Sequence, residues 1–169
     1  MEQRVHHPLD PIYDKHSRIL LLGTMPSPKS RELGFYYAHP RNRFWQVMAA
    51  LFPGEPPFDR ETPASPEEKR VFLLDHRIAL WDVLASCTIR GADDASIQDP
   101  VPNNLNRILS AAPIQKIFTT GTKAFSLYKV YCQKETGREA VCLPSTSPAN
   151  CACSFERLAG QYRQLLKYL

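Results

Sequence analysis

Short apolar runs alternate with segments of helical periodicity along this chain. The run Ser17–Leu22 ends at Gly23 and has the composition of a strand buried on both faces. Further strands are predicted at 77–83, 115–120 and 139–143. Helices are predicted at 42–52, from Ser65 to residue 75 or 76, from 122 to about 133, and at 154–169. The alternation predicts an α/β fold with three layers (αβα), in which helices cover both faces of a central four-stranded parallel sheet.

Two of the predicted helices carry an apolar face. In the helix at 42–52 this face consists of Phe44, Val47, Met48 and Leu51. In the last helix it consists of Phe155, Leu158, Tyr162, Leu165 and Leu166. The proline-rich stretch 54–66 has no periodic pattern and predicts an irregular surface connection. No composition shift or repeat divides the chain, so we expect one domain over residues 1–169.

The segment that follows the first strand has the composition of a ligand-binding loop. In open α/β sheets, ligands bind at the carboxyl ends of the strands, where this segment begins. Pro26 and Pro28 predict an absence of regular structure there. Small polar residues and their backbone amides suit an anion, and these are Gly23, Thr24, Ser27 and Ser30.

Aromatic residues crowd the end of the same segment. Phe35, Tyr36, Tyr37 and His39 precede a helix that we expect to begin near Pro40, because proline suits a first helical turn. A glycine turn, aromatics and polar groups thus occur within 23 consecutive residues, from Gly23 to Trp45. This density predicts an active site.

The block Gly34–Trp45 resembles the corresponding block of the mismatch-specific uracil-DNA glycosylases. A closer similarity is to the hypoxanthine-DNA glycosylases, or DNA-deoxyinosine glycosylases, a branch of the uracil-DNA glycosylase superfamily. The similarity extends over most of the chain: His7–Pro8, Pro11–Asp14, Ser17–Leu20, Gly23–Ser27, His39–Trp45, Ala79–Val83 and Ser145–Asn150. The block from His39 to Trp45 is the most specific of these motifs.

The resemblance implies a uracil-DNA glycosylase-like fold and a set of site residues. The mismatch-specific relatives have a catalytic asparagine where this chain has Met25, and a thioether cannot orient water. In the hypoxanthine branch the catalytic asparagine lies in the HPRN block, which implies Asn42. Tyr37 aligns with the family's base-stacking aromatic. The loop Ser145–Asn150 corresponds to the superfamily's second motif, which holds phosphates and enters the duplex.

The candidate residues fall into groups by expected role. Asn42 is the expected catalytic residue. Expected base-binding residues are Tyr37, Gly23, Thr24, Met25, His39 and Asp82. Expected DNA-binding residues are Ser27, Ser145, Ser147, Pro148, Ala149, Asn150 and Arg41.

Several of these residues also have a purely structural interpretation. His39 either donates to the base or phosphate or bonds the backbone of its turn. Asp82 either contributes to the pocket or caps the loop that follows its strand. Arg41, Arg43 and Lys29 flank the site as phosphate contacts or as solvated charges. Phe35 is assigned to the core. Asp82 is the only acid that we consider for proton chemistry.

Composition agrees with an intracellular DNA-binding enzyme without requiring one. The net charge is +4 and the isoelectric point about 8.8, a modest bias toward anionic partners. No run of about 18 apolar residues and no apolar signal core occurs, so we expect a cytoplasmic protein without membrane contact. The five cysteines, with Cys151 and Cys153 closest together, predict reduced thiols rather than disulfides or a metal site. We expect a monomer that needs no metal or other cofactor.

The expected reaction is hydrolysis of an N-glycosidic bond. No carboxylate pair, Ser-His-Asp set or lysine nucleophile accompanies the motif, which favours a monofunctional glycosylase that leaves an abasic site. Asn42 would hold water with its oxygen or steady the departing base with its amide NH₂. The expected substrate is DNA containing deaminated bases, foremost deoxyinosine. Uracil excision, a non-catalytic lesion-binding protein and a nucleotide-binding protein are the alternatives.

Overall fold

A computed structural model describes the whole chain, Met1–Leu169. In chain order the elements are β1 (Glu2–His6), β2 (Ile19–Gly23), α1 (Pro28–Leu33), α2 (Phe44–Leu51), α3 (Pro66–Asp75), β3 (Ile78–Asp82), β4 (Leu84–Arg90), β5 (Asp93–Pro102), α4 (Asn106–Leu109), β6 (Lys116–Thr120), α5 (Thr122–Tyr131), α6 (Gln133–Thr136), β7 (Ala140–Leu143) and α7 (Phe155–Tyr162). Short 3₁₀ turns occupy Pro148–Asn150 and Arg163–Tyr168.

The central sheet has four parallel strands in the order β3-β2-β6-β7. Strand β2 lies between β3 and β6, and Leu22 pairs with Trp81 on one side and Thr119 on the other. Every residue of β2 and β3 is buried, as expected for strands covered on both faces. The predicted α/β class and its four-stranded parallel sheet are confirmed.

A second, antiparallel sheet is absent from the sequence-based prediction. It has the order β1-β4-β5, and β4 continues almost directly from β3 after Val83. Strand β5 is mostly exposed and contains Pro100 and Pro102, so its sequence is typical of a loop. Pairing with β4, which buries Leu84, Cys87 and Ile89, stabilises it as a strand.

The expectation of irregular structure around Pro26 and Pro28 is wrong. Pro28 begins helix α1, and Ser27 caps that helix because its Oγ accepts a hydrogen bond from the Ser30 amide at 3.2 Å. Proline is favoured at the first helical position, where no hydrogen bond from its nitrogen is needed. The same residue type that argued against a helix therefore starts one.

Two helix boundaries also differ from the prediction. Helix α2 begins at Phe44, because the Asn42 amide donates to the His39 carbonyl in a preceding turn. The last helix ends at Tyr162 and continues as a 3₁₀ turn, which changes the residue spacing. Leu166 is consequently exposed. Phe155, the first residue of α7, is also exposed, whereas the rest of the predicted face is buried.

The other predicted elements agree with the structure. Helix α3 begins after Ser65 with a reciprocal capping box between Ser65 and Glu68, as its sequence predicts. No regular element occupies the proline-rich connection between α2 and α3. No helix in the structure has the length and apolar character that crossing a membrane requires.

Candidate active site

A cavity of about 350 Å³ lies where β2, β3 and β6 end, at the carboxyl edge of the parallel sheet. This is the edge at which open α/β sheets bind ligands. The loop after β2, the turn before α2 and the loop after β7 form much of its wall. Ten of the predicted site residues line it: Gly23, Thr24, Met25, Ser27, Tyr37, Asn42, Asp82, Ser145, Ser147 and Ala149.

Tyr37 lies in the cavity wall in a strained conformation. Its φ of 52° is unusual for a residue with a side chain. Its ring stacks on Phe44, with centroids 4.0 Å apart and an angle of 11° between the planes. Its hydroxyl forms a hydrogen bond of 3.1 Å with Thr120 Oγ1, and burial raises the pKa of the phenol. Because Phe44 covers one face of the ring, only the other face can stack on a ligand.

The Asn42 carboxamide is half committed to the backbone. Its Oδ1 accepts a hydrogen bond from the Phe44 amide at 2.9 Å, at the start of α2. An amide N–H can only donate, so this contact fixes which end of the carboxamide is the oxygen. The NH₂ group of Asn42 is therefore the end with donors left for a ligand in the cavity.

Asp82 is a buried carboxylate held by a histidine that the sequence analysis gave no role. His7 Nδ1 accepts a hydrogen bond from the Leu9 amide, so the ring proton must be on Nε2 when the ring is neutral. Nε2 donates to Asp82 Oδ2 at 2.7 Å, and both side chains are almost completely buried. The only sequence signal for this pair is the His7–Pro8 motif itself.

The other oxygen of Asp82 lies directly over Gly23. A Cβ atom added to Gly23 would be 2.3 Å from Asp82 Oδ1 and 3.1 Å from the Tyr37 hydroxyl. Glycine is thus required at position 23 because the Asp82 carboxylate and the Tyr37 hydroxyl both approach it closely. The two side chains lie side by side at this end of the cavity.

Met25 lies between the core and the cavity. Its side chain is 9% exposed and lines the cavity beside Thr24. A thioether at this point provides an apolar wall and no acceptor that could hold water. Any polar group that orients water must therefore be a residue other than Met25.

The β4–β5 turn, taken as residues 91–95 and thus including the first residues of β5, supplies an acid that was not expected from the sequence. Residues 91–95 line the cavity, although their strands were not predicted. Although Asp94 as a whole residue is exposed, partial desolvation raises the pKa of its carboxyl, and the charge of Asp82 raises it further. Asp82 is therefore not the only acid available for proton chemistry.

The loop after β7 contributes hydroxyl groups. Ser145 Oγ accepts from the Ser147 amide, and Ser147 Oγ accepts from the Ala149 amide, so both hydroxyl protons are free to donate. Thr146 Oγ1 is buried in the cavity wall without a hydrogen-bond partner. A ligand or water that bonds Thr146 would remove this unfavourable state.

Four predicted site residues do not line the cavity. His39 forms its own turn, since its Nδ1 accepts from the Arg41 amide. Asn150 donates from its side chain to the Ser145 carbonyl. Both His39 and Asn150 lie outside the cavity wall. Pro148 and the exposed Arg41 lie outside it as well. Their roles in contacting DNA stay predictions.

Arg43 joins the two loops rather than remaining free for phosphate. Its guanidinium donates to the carbonyls of Cys153 and Asn150 at 2.6 and 2.9 Å, and its amide donates to the Thr146 carbonyl. Lys29 pairs with Glu32. The five cysteines are unpaired, and no three His, Cys, Asp or Glu side chains are grouped as metal ligands.

The fold and the site define an α/β protein with a polar, aromatic-walled cavity at the carboxyl edge of a parallel sheet. The family model described as the uracil DNA glycosylase superfamily matches residues 11–167, and the chain belongs to that superfamily. The resemblance inferred from the motifs is confirmed.

Similar proteins agree with this membership. A hypoxanthine DNA glycosylase of Methanosarcina acetivorans is 32% identical over 141 residues, which are 82% of this chain and 84% of the relative. One of Methanosarcina barkeri is 29% identical over 83% of this chain and 85% of the relative. A solution NMR structure from Methanosarcina acetivorans, described as a candidate uracil DNA glycosylase, has a TM-score of 0.77, 29% identity and coverage of 98% and 99%.

Proposed function

We propose that this protein is a monofunctional DNA glycosylase that releases hypoxanthine from deoxyinosine in DNA and leaves an abasic site. The observation that carries the proposal is the convergence of Tyr37, Asn42 and Asp82 on one cavity. Two similar proteins that bear the name hypoxanthine DNA glycosylase support the choice of base. Cytoplasmic location and a monomeric state remain expectations.

The first step is extraction of the nucleotide from the duplex. Unstacking costs a few kcal/mol, and stacking on an aromatic ring returns about 1–3 kcal/mol. The free face of Tyr37 is the stacking surface, and Phe44 fixes its orientation from behind. Ser145 and Ser147 are better phosphate donors than Ser27, whose hydroxyl proton is directed to Ser30 Oγ. Pro148, Ala149, Asn150 and Arg41 form the remaining DNA contacts.

Base selection depends on the Asp82 carboxylate. Deamination of adenine replaces an acceptor at N1 with an N–H donor, and a fixed carboxylate oxygen accepts from the donor but repels the acceptor. Asp82 Oδ1 suits this role because His7 holds Oδ2. Thr146 Oγ1 is available as a second polar contact. Uracil offers a comparable N–H at N3, which makes deoxyuridine the informative competitor.

Cleavage of the bond places negative charge on the departing purine. A preorganised donor at that position stabilises the transition state by electrostatics. The NH₂ group of Asn42 fits this task, since its oxygen is bound to the Phe44 amide. Asn42 therefore acts on the leaving base and not on the attacking water.

The test is single-turnover excision from labelled duplexes that contain one deoxyinosine or one deoxyuridine, followed by hot alkali to cleave abasic sites. The proposal expects faster release of hypoxanthine than of uracil, with strand cleavage only after alkali. Release of uracil alone would replace the proposed substrate. Lesion binding with intact strands for both duplexes would contradict catalysis.

A further inference from the structure

The cavity residues with an assigned role leave the attacking water without a group that takes its proton. Met25 cannot accept a proton, and the Asn42 oxygen is bound to a backbone amide. Asp82 is held by His7 at the end of the cavity that contains Gly23 and the Tyr37 hydroxyl, where it suits the base edge. Hydrolysis at neutral pH is faster when a positioned group takes the proton from water. A further acceptor is therefore expected in the cavity wall.

Asp94 lines this cavity from the β4–β5 turn, which is held by hydrogen bonds of its own. The Ser96 hydroxyl donates to the Asp93 carbonyl at 2.6 Å and accepts from the Arg90 amide at 2.8 Å. Asp93 Oδ1 accepts from the Ala95 amide. These bonds hold the turn without using the Asp94 carboxyl, and Asp94 lines the cavity.

Strand β4, which leads into this turn, is bonded at its start to the loop after β2. The Leu84 amide donates to the Thr24 carbonyl at 3.1 Å, and the Val83 amide donates to the Gly23 carbonyl at 2.8 Å. The Thr24 hydroxyl lies beside the Asp94 carboxyl and lowers its pKa. The two cavity walls are therefore joined through the start of β4.

The charges that face Asp94 come from three elements. Asp82 on β3 and Asp93 on the same turn disfavour its ionised form, and Lys123 on α5 favours it. Desolvation is the largest of these influences and raises the pKa of the Asp94 carboxyl. A carboxylate of raised pKa is a stronger base than an ordinary aspartate while it remains ionised near neutral pH.

We propose that Asp94 is the general base of the hydrolysis and takes a proton from the water that attacks C1′. The inference rests on the proposed glycosylase function. The water oxygen forms a bond to C1′ as the bond from C1′ to the base nitrogen breaks, and the bonding electron pair leaves with the base. One water proton moves to Asp94 and then to solvent, and the hypoxanthine anion takes its proton from solvent.

The experiment compares Asp94→Asn with the matched variant Asp99→Asn. Asp99 is exposed on the same hairpin, lies outside the cavity, and contributes its carbonyl rather than its carboxyl to a bond from Arg4. Excision of hypoxanthine is measured at saturating enzyme from about pH 5 to 9. Affinity is measured by anisotropy with a duplex that carries a tetrahydrofuran abasic-site analogue.

The expected results separate a base from a binding or folding residue. Asp94→Asn lowers the single-turnover rate by at least about 100-fold and abolishes its rise with pH on the acidic side. Its affinity for DNA is unchanged or higher, because a negative charge near phosphates has been removed. Asp99→Asn keeps the excision rate within about threefold of that of the unmodified protein, and its rate still rises with pH on the acidic side.

Four results would overturn the inference. If Asp94→Asn is as active as Asp99→Asn, Asp94 is not the general base. If Asp94→Asn is slower but its rate still rises with pH on the acidic side as in the unmodified protein, another group is the base. If Asp94→Asn does not fold, Asp94→Glu is tested in its place. This variant must excise more slowly while its rate still rises with pH on the acidic side. An excision rate that does not change with pH would contradict the proposal. No hypoxanthine release by the unmodified protein would overturn the proposed function as well.

Discussion

His7 donates a hydrogen bond from Nε2 to Asp82 Oδ2 across 2.7 Å, at the buried end of the cavity. The pair joins the segment after β1 to the end of β3, which are 75 residues apart in the chain. It leaves Asp82 with one oxygen bound to protein and one directed over Gly23.

Replacement of His7 by alanine is expected to destabilise the protein and to slow excision. A buried carboxylate that loses a hydrogen-bond donor costs about 2–3 kcal/mol in the free energy of unfolding. His6→Ala is the matched control, because His6 is an exposed neighbour on β1. Urea denaturation of both variants tests the prediction. Equal midpoints for the two would show that the bond contributes nothing to stability.

Alanine at position 23 is expected to abolish excision, because its Cβ would overlap Asp82 Oδ1 at 2.3 Å. The carboxylate must move, and with it the proposed contact to the base. Gly160→Ala is the control: no atom lies within 4 Å of its added Cβ, and alanine in α7 is expected to stabilise the helix by about 0.5–1 kcal/mol. Single-turnover rates and thermal melts of both variants check the pair. An active Gly23→Ala protein would show that Asp82 need not stay in place.

The sequence predicted the parallel sheet well and the second sheet not at all. Strand β2 is apolar at every position from Ile19 to Leu22, because it is buried on both faces, and that composition is visible without a structure. Strand β5 has no such signal, since none of its residues is fully buried and it is held by pairing with β4. The acidic turn that reaches the cavity could not be placed without that pairing.

The candidate site was predicted in the same uneven way. Tyr37 and Asn42 lie close together in one motif, and family resemblance indicated from the sequence that they belong to the site. His7 and Asp94 were missed because their roles depend on contacts with Asp82, Leu9 and Thr24, which only the tertiary structure supplies. The exposure of Leu166 follows from the 3₁₀ geometry after Tyr162, which helical periodicity does not anticipate.

Removal of the Tyr37 hydroxyl is expected to have a smaller effect than removal of its ring. Tyr37→Phe loses the bond to Thr120 Oγ1, which costs about 1 kcal/mol of stability, and keeps the stacking face. Tyr37→Leu loses stacking worth about 1–3 kcal/mol, or about 5- to 150-fold in excision. Single-turnover rates of both variants, with urea denaturation for stability, make the comparison. Equal rates for Phe and Leu would exclude stacking on this ring.

The pH dependence of stability is expected to change in Asp94→Asn. The carboxyl has a raised pKa in the folded protein, so the folded state binds more protons than the unfolded state between about pH 4 and that pKa. Stability of the unmodified protein therefore falls as the pH rises through this window, and asparagine removes this fall. The difference in stability between the two proteins should grow with pH and then level off. Parallel urea titrations that show a constant difference would contradict the raised pKa.

The sharpest prediction distinguishes the two ends of the Asn42 side chain. Asn42→Ala is expected to lose at least about 100-fold in excision, but its loss does not show which end acts. Asn42→Asp keeps an oxygen that can accept from the Phe44 amide at the start of α2, so the turn is retained while the NH₂ donor is lost. If the NH₂ group stabilises the departing base, aspartate is at least as inactive as alanine, since its charge also repels the leaving anion. If the oxygen instead orients water, aspartate should equal or exceed asparagine in rate. Single-turnover assays with melting curves for all three proteins decide between these outcomes, because a folded and active Asn42→Asp enzyme would exclude the donor role.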